Sequence, residues 1–309
     1  MKVATLTLNP AVDVTYEIGR LILNQKVRAQ ATRFDPGGNG INVGRALKRL
    51  GIRAHNFCVL AGETGQFLAR LLQRHLDDPV YVWVEGETRI NATILERETG
   101  AQYEVTGQGP KLPPAQLEAL ERRFIASAAD GYGVITGSTP PGVAQDAYAD
   151  LIRSLQARGG RAVLDAHGEL LAYGIQAGPF LIKPNRYELE QWWGSPLPDL
   201  ASVVAAAKRV LACGVSYVCV SLGQDGAVLI GQRESFLALP PQVAVRSSVG
   251  AGDTLVAGLV AGFVRGLDLP EILRLAVAAS AGTVRQPGTE LFCPEELPKL
   301  LEQVQVESL

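Results

Sequence analysis

The sequence of 309 residues predicts an α/β fold, with a mostly parallel, doubly wound sheet and a smaller second sheet beside it. Three observations carry this. Apolar residues make up 47% and charged residues 19%, enough for a large core and too few charges for long disorder or a coiled coil. From Pro113 onward, short apolar strands alternate with helical patterns, the rhythm of parallel strands joined by crossover helices. Two segments, 12–35 and 88–106, break that rhythm with short-period, exposed strands. They are alike in character though apart in sequence, and are expected to form one small sheet.

The elements follow in order. Residues 3–8 alternate as a strand until Asn9-Pro10 turns the chain, and 12–35 hold two or three exposed strands. After Gly37-Gly38-Asn39-Gly40, residues Val43, Ala46, Leu47 and Leu50 share one helical face, which Gly51 ends. A second helical pattern covers 64–76. Strands return over 88–106, turning at Glu98-Thr99-Gly100. Beyond Pro113 come a helix near 114–127, a strand at 132–136, a helix at 145–158, and strands at 161–165 and 179–182. A helix at 200–212 and a strand at 216–222 follow, the latter turning through Gln224-Asp225-Gly226 into 227–230. Helices at 252–266, 269–284 and 294–304 close the chain.

Composition excludes several function classes. With 29 Lys and Arg against 31 Asp and Glu, no basic field gathers nucleic acid. The four Cys show no C-x-x-C spacing and there are three His, which disfavours a zinc site or a disulfide framework. No stretch reaches the roughly 18 continuous apolar residues of a membrane span. A cytoplasmic protein with no membrane or nucleic-acid partner is expected.

Five segments carry chemistry. Ser248-Val249-Gly250-Ala251-Gly252-Asp253-Thr254 opens an apolar helix. Its glycines permit a tight turn, and the first helical N–H groups are free for an anion. Asp253 stands among those donors, where a carboxylate suits abstracting a proton from an attacking hydroxyl; a favourable helix-dipole contact is the plainer alternative. Pro36-Gly37-Gly38-Asn39-Gly40-Ile41-Asn42 reads as a loop and helix start whose backbone can approach a ligand, with Asn42 suited to sugar hydroxyls. Its spacing is not that of a dinucleotide fold. In Lys183-Pro184-Asn185-Arg186-Tyr187-Glu188, Asn185 and Glu188 share a face if a helix starts there, and suit water around Mg²⁺. Thr136-Gly137-Ser138-Thr139-Pro140-Pro141-Gly142 offers hydroxyls at a strand end. Ser221-Leu222-Gly223-Gln224-Asp225-Gly226 does the same at another, or forms a plain hairpin turn. Asp13, Lys26, Arg28 and Arg89 lie in the two exposed-strand segments, each a surface charge alone; together the three cations suit a phosphate clamp, with Asp13 binding hydroxyls. His167 receives no role.

Taken together and in order along essentially the whole chain, these segments resemble the PfkB (ribokinase-like) carbohydrate kinases. Gly37-Gly38-Asn39-Gly40-Ile41-Asn42-Val43 resembles that family's first signature, Ser248–Thr254 its second, and Lys183-Pro184-Asn185 with Glu188 its N-x-x-E motif. The opening Leu6–Asp13, with Gly137–Gly142 and Val220–Gly223, resembles the hexose-phosphate branch. That branch comprises 1-phosphofructokinases, tagatose-6-phosphate kinases and the minor 6-phosphofructokinases.

The resemblance implies one ribokinase-like domain over 1–309, a three-layer α/β/α fold with a small β-sheet lid formed by about 12–35 and 88–106. It implies an ATP- and Mg²⁺-dependent kinase acting on a ketohexose monophosphate, and a homodimer through the lid. Asp253 would be the base, and the backbone of Gly250, Ala251 and Gly252 the anion hole. Asp13, Gly38, Asn39 and Asn42 would hold the sugar, and Lys26, Arg28, Arg89 and Ser138 the phosphate it carries. Lys183, Asn185, Ser221, Gly223, Gly226 and Ser248 would line the nucleotide site, with Asn185 and Glu188 positioning Mg²⁺ through water. The substrates rank as fructose 1-phosphate, tagatose 6-phosphate and fructose 6-phosphate. Asn39 stands where many of the branch carry Lys, and Glu104 where the minor 6-phosphofructokinase carries Arg. A kinase for an unphosphorylated sugar or a nucleoside, and a sugar-phosphate sensor without turnover, are the alternatives.

Overall fold

The computed structural model describes all 309 residues. Its central sheet has ten strands in the order β14-β13-β12-β11-β10-β9-β8-β1-β4-β5. The parallel part comprises β1 (Val3–Thr7), β4 (His55–Ala61), β5 (Asp78–Val84), β8 (Tyr132–Thr136), β9 (Arg161–Asp165), β10 (Leu181–Ile182) and β11 (Tyr217–Ser221). An antiparallel edge follows, made of β12 (Ala227–Ile230), β13 (Ser235–Leu239) and β14 (Gln305–Ser308).

Both faces of this sheet are covered, so its strands alternate between two cores rather than between core and water. Leu164, Ile182, Val218 and Val220 face one core, together with α3 (Pro114–Ala128), α4 (Ala147–Gln156), α5 (Gly168–Gln176), α6 (Arg186–Trp193) and α7 (Leu200–Leu211). Val163, Leu181 and Cys219 face the other, with α1 (Asn39–Arg49), α8 (Ala251–Arg265), α9 (Leu269–Val284) and α10 (Leu297–Gln303). The expected three-layer α/β/α architecture is present.

The second sheet has the order β3-β2-β6-β7, with β2 (Ala11–Ile18), β3 (Ala31–Gly37), β6 (Arg89–Glu96) and β7 (Gln102–Thr106). The two separated segments therefore do meet, through a parallel β2–β6 pair in register Ala11↔Arg89 to Ile18↔Glu96. One face carries Val12, Val14, Tyr16, Phe34, Ile90, Ile94, Tyr103 and Val105; the other carries Asp13, Asp35, Arg89, Asn91 and Thr93. Val12 and Val14 are buried with Leu68 and Leu72 of α2 (Gly62–Leu72). The polar face is continuous with the strand end at Asn9.

Several elements differ from the sequence expectation. β4 and β5 are short apolar runs with no clear period, the pattern most easily lost between helix and strand. The segment 12–35, expected to hold two or three strands, holds two, joined by a loop over residues 19–30. No helix is long and apolar enough to cross a membrane.

Candidate active site

Strand ends and helix starts converge above the central sheet. α8 begins at Gly250, whose φ of 79° is left-handed and open to glycine with little strain. The Ala251 N–H turns back to the Ser248 carbonyl at 3.3 Å, and Thr254 is the first to join the helical ladder, on the Gly250 carbonyl at 2.9 Å. Between them the N–H groups of Gly252 and Asp253 are left free, a pair of donors at a helix N-terminus. Ala251, expected in the anion hole, thus has its N–H engaged, and Asp253 supplies a backbone donor that the sequence reading did not assign.

The Asp253 carboxylate is buried and held from both sides. Asn39 Nδ2 donates to its Oδ1 at 2.9 Å, and Asn42 Nδ2 donates to its Oδ2 at 2.9 Å. Burial pushes its pKa up to about 6, with the charge of Asp165 adding to the rise and the two amides opposing it. A carboxylate in that range is ionised at neutral pH yet basic enough to accept a proton.

These contacts depend on how α1 starts. Its N-cap Gly38 has φ 120°, and a Cβ there would meet Thr7 Cγ2 at 2.8 Å. A Cβ at Gly40 would lie 2.5 Å from the Leu6 carbonyl oxygen. The glycines seat the helix directly on β1, which brings Asn39 and Asn42 to Asp253. The Asn42 amide is engaged with the protein, since its Oδ1 accepts from Arg45 Nη1 at 3.1 Å. One N–H of its Nδ2 is left for a sugar hydroxyl.

Lys183 and Asp165 end the adjacent strands β10 and β9 and form a buried ion pair at 3.2 Å. Burial works against the ammonium, but Asp165 and then Glu188 outweigh it and hold Lys183 above its usual pKa. Its Nζ lies 3.5 Å from where a Cβ on Gly252 would sit, so the cation lies beside the start of α8. Asn185 and Glu188 form a capping box, Glu188 N–H on Asn185 Oδ1 and Asn185 N–H on Glu188 Oε2, both at 2.8 Å. The plain helix-start reading is therefore realised, and it leaves Glu188 Oε1 and the Asn185 Nδ2 unengaged. Asn185 bridges to Ser221, which leads to the turn Gly223–Asp225 and to Gly226. Gly226 has φ 91° and packs on the Ala238 carbonyl. Ser248 is exposed beside the start of α8. These residues form one run along the strand ends.

The sugar-phosphate candidates divide. Asp13 is held by Asn91 Nδ2 at 2.8 Å, and burial pushes its pKa up to about 6. Arg89 donates through Nε and Nη2 to the Asn9 carbonyl at 3.1 and 2.8 Å, and Asn9 Nδ2 donates to Ser138 Oγ at 3.2 Å. An open cavity of about 490 Å³ adjoins them, lined by Asn9, Gly107, Ser138, Thr139 and neighbours. Lys26 and Arg28 stand apart. They are exposed on the 19–30 loop, which leaves β2 at Ile18, the end of the lid opposite Arg89. Seven strand steps, roughly 23 Å, separate the two ends. Within one chain Arg89, Asn9 and Ser138 come together beside this cavity; Lys26 and Arg28 do not join them. Glu104 accepts from Gln102 and lies on the same lid face as Thr93.

Sequence reasoning missed Asn9, Arg45, Asn91 and Asp165. Asn9 reads as a turn residue and Asp165 as a strand end; their partners are supplied by the fold.

The comparisons agree with this geometry. The model of the pfkB family carbohydrate kinases matches residues 4–296. The chain belongs to the PfkB family of carbohydrate kinases. It is 35% identical over 302 residues to a 1-phosphofructokinase of Xanthomonas campestris pv. campestris, covering 96% of this chain and 95% of that one. It is 36% identical over 315 residues to a 1-phosphofructokinase of Rhodobacter capsulatus, covering 100% and 98%. Among solved structures, phosphofructokinase-2 from Escherichia coli in complex with substrates and products superposes with a TM-score of 0.93 at 31% identity, covering 98% and 99%. The expected family, fold and kinase class are borne out.

Proposed function

We propose that this PfkB kinase transfers the γ-phosphoryl group of ATP to a ketohexose monophosphate, with fructose 1-phosphate as the leading substrate. The observation that carries the reading is a buried, proton-accepting Asp253 beside two free helix N–H groups and the Lys183 ammonium. Full-length similarity to 1-phosphofructokinases supports the choice of sugar.

Asp253 takes the proton of the acceptor hydroxyl as its oxygen attacks in line. The N–H groups of Gly252 and Asp253, with Lys183, stabilise charge on the transferring group. The bond to the leaving ADP breaks as the new P–O bond forms. Arg89 and Ser138 bind the phosphate that the sugar already carries, and Asp13 and Asn39 orient its hydroxyls. The unengaged Glu188 Oε1, with the second lone pair of Asn185 Oδ1, fits Mg²⁺ held through water, in the manner of a hard cation that keeps much of its hydration shell. Mg²⁺ would neutralise charge on the phosphates. Lys183, Ser221, Gly223, Gly226 and Ser248 line the nucleotide side, and lid closure excludes water.

The lid also supports a homodimer. Tyr16, Phe34, Ile90, Tyr103 and Val105 share its apolar face and are 37–61% exposed in one chain. A second copy covers such a face and, by bringing its own lid across, offers a route for Lys26 and Arg28 to reach a sugar phosphate.

The test is ADP release with Mg²⁺ and ATP against fructose 1-phosphate, tagatose 6-phosphate, fructose 6-phosphate and free fructose. A preference of about 100-fold in kcat/KM for one phosphorylated sugar, roughly 2.7 kcal/mol, supports the reading and names the sugar. Activity on free fructose alone overturns the phosphate clamp, and binding of ATP without transfer to any of the four favours a sensor.

A further inference from the structure

Arg45 lies on α1 one turn after Asn42 and is 2% exposed. Its Nη1 donates to Asn42 Oδ1 at 3.1 Å and to the Thr289 carbonyl at 3.2 Å, while its Nε has no partner. No carboxylate forms an ion pair with it. A buried arginine without one is costly, and here its contacts are to an amide oxygen and a backbone carbonyl.

The chemistry of the chain Arg45–Asn42–Asp253 is directional. A guanidinium has donors and no acceptor, so the side of the Asn42 amide that faces Arg45 must be its oxygen. The NH₂ group then faces Asp253 Oδ2. An ionised carboxylate alone enforces the same orientation, because it too only accepts. A protonated carboxyl does not, since its O–H donates and an unrestrained amide can rotate to receive it. Asn39 differs: its Nδ2 holds Oδ1, and its own side-chain oxygen has no such donor behind it, lying beside Gly137.

Resting on the assignment of Asp253 as the base, we propose that Arg45 is a positioning residue. It locks the Asn42 amide with its N–H on Oδ2 in both protonation states of Asp253, so that the proton of the acceptor hydroxyl arrives on Oδ1. The hydroxyl O–H bond breaks, its electron pair remains on the oxygen that forms the new bond to phosphorus, and the proton bonds to Oδ1. Asn39 yields at that oxygen as the hydroxyl approaches. Loop 289–292 anchors the device, since Arg49 Nη1 also donates there, to the Leu291 carbonyl at 2.5 Å and the Phe292 carbonyl at 2.7 Å.

The test compares Arg45→Met, Arg45→Lys and Asp253→Asn in the full-length enzyme. Arg45→Met is expected to lower kcat by about 100-fold, the scale of a roughly 1 Å misplacement, with both KM values within about threefold of wild type. The acid limb of kcat moves to higher pH, because an unfixed Asn42 can turn its oxygen to the protonated carboxyl and stabilise that form of Asp253. Asp165 and Lys183 also face Asp253, and Glu290, Arg49, Asp35 and Asp13 lie around Arg45; all are unchanged in the variant. Arg45→Lys, which keeps a cationic donor, recovers most of kcat. A wild-type kcat and acid limb in Arg45→Met overturns the proposal while an inactive Asp253→Asn leaves the base in place; a near-normal Asp253→Asn removes both.

Should Arg45→Met not fold, wild-type enzyme labelled with ¹⁵N-asparagine gives the answer, since the chain has seven Asn. As pH falls through the Asp253 titration, the Asn39 side-chain amide signals should move further than those of Asn42. Equal or larger movement of Asn42 contradicts the lock.

Discussion

Asn42 Nδ2 donates to Asp253 Oδ2 at 2.9 Å, joining residues 211 positions apart in the sequence. The bond unites two glycine-rich motifs that each read alone as a loop before a helix. It exists because α1 starts against β1, with Gly40 where a Cβ would press on the Leu6 carbonyl. Gly40→Ala is therefore expected to cost about 1–3 kcal/mol of stability through overpacking and to lower kcat as α1 retreats from Asp253. Urea unfolding and steady-state rates check this; an unchanged midpoint with full activity contradicts it.

The pH dependence follows from Asp253. Its carboxyl titrates near 6, raised chiefly by burial. In the proposed role the base acts ionised, so kcat is expected to rise with pH through that range and to be lost as the group protonates below it. A rate profile with saturating substrates should show this limb near pH 6. An acid limb near the ordinary carboxylate value would mean that another group limits the rate.

The alternation of elements, the two helix-opening motifs and the gathering of the exposed strands into one small sheet were legible in the sequence. Their glycines and acids fall at spacings set by local backbone geometry. Asp165, Asn9 and Arg45 were not legible, because each takes its place from a partner supplied by another segment: Lys183, Ser138 and the Thr289 carbonyl. Lys26 and Arg28 are legible only as members of the lid segment, and their distance from Arg89 within one chain is not. They sit in the right segment, but β2 carries their loop to the far end of the lid.

The Lys183–Asp165 pair gives a stability prediction. Lys183→Met leaves a buried carboxylate without its cation, which typically costs about 3–5 kcal/mol. Burial already raises the Asp165 pKa, with Lys183 opposing it, and the substitution raises it further. The folded state then holds that proton more tightly than the unfolded one, so the variant loses stability as pH rises. Thermal unfolding should show a larger deficit at pH 8 than at pH 5. Equal deficits at both would contradict the charge argument.

Arg89 holds the Asn9 carbonyl through Nε and Nη2, leaving Nη1 for a substrate anion. Arg89→Ala should raise KM for the phosphorylated sugar by about 10-fold or more, in keeping with a lost charge-assisted bond of roughly 1.5–3 kcal/mol, while KM for ATP changes little. Unchanged sugar KM would remove the clamp.

The lid's apolar face predicts assembly. Sedimentation at micromolar concentration should give a dimer for the wild type and a monomer for Val105→Asp combined with Tyr103→Asp, since both residues are exposed on that face of β7. A monomeric wild type, or a variant that still dimerises, contradicts this use of the lid.

The most direct test of the central claim is single-turnover phosphoryl transfer by Asp253→Asn, with ATP affinity measured alongside. The account predicts a fall of roughly 10²–10⁴-fold in rate with ATP binding retained, because the amide cannot accept the proton while the helix N–H groups and Lys183 stay in place. A rate near that of the wild type would show that Asp253 is not the base.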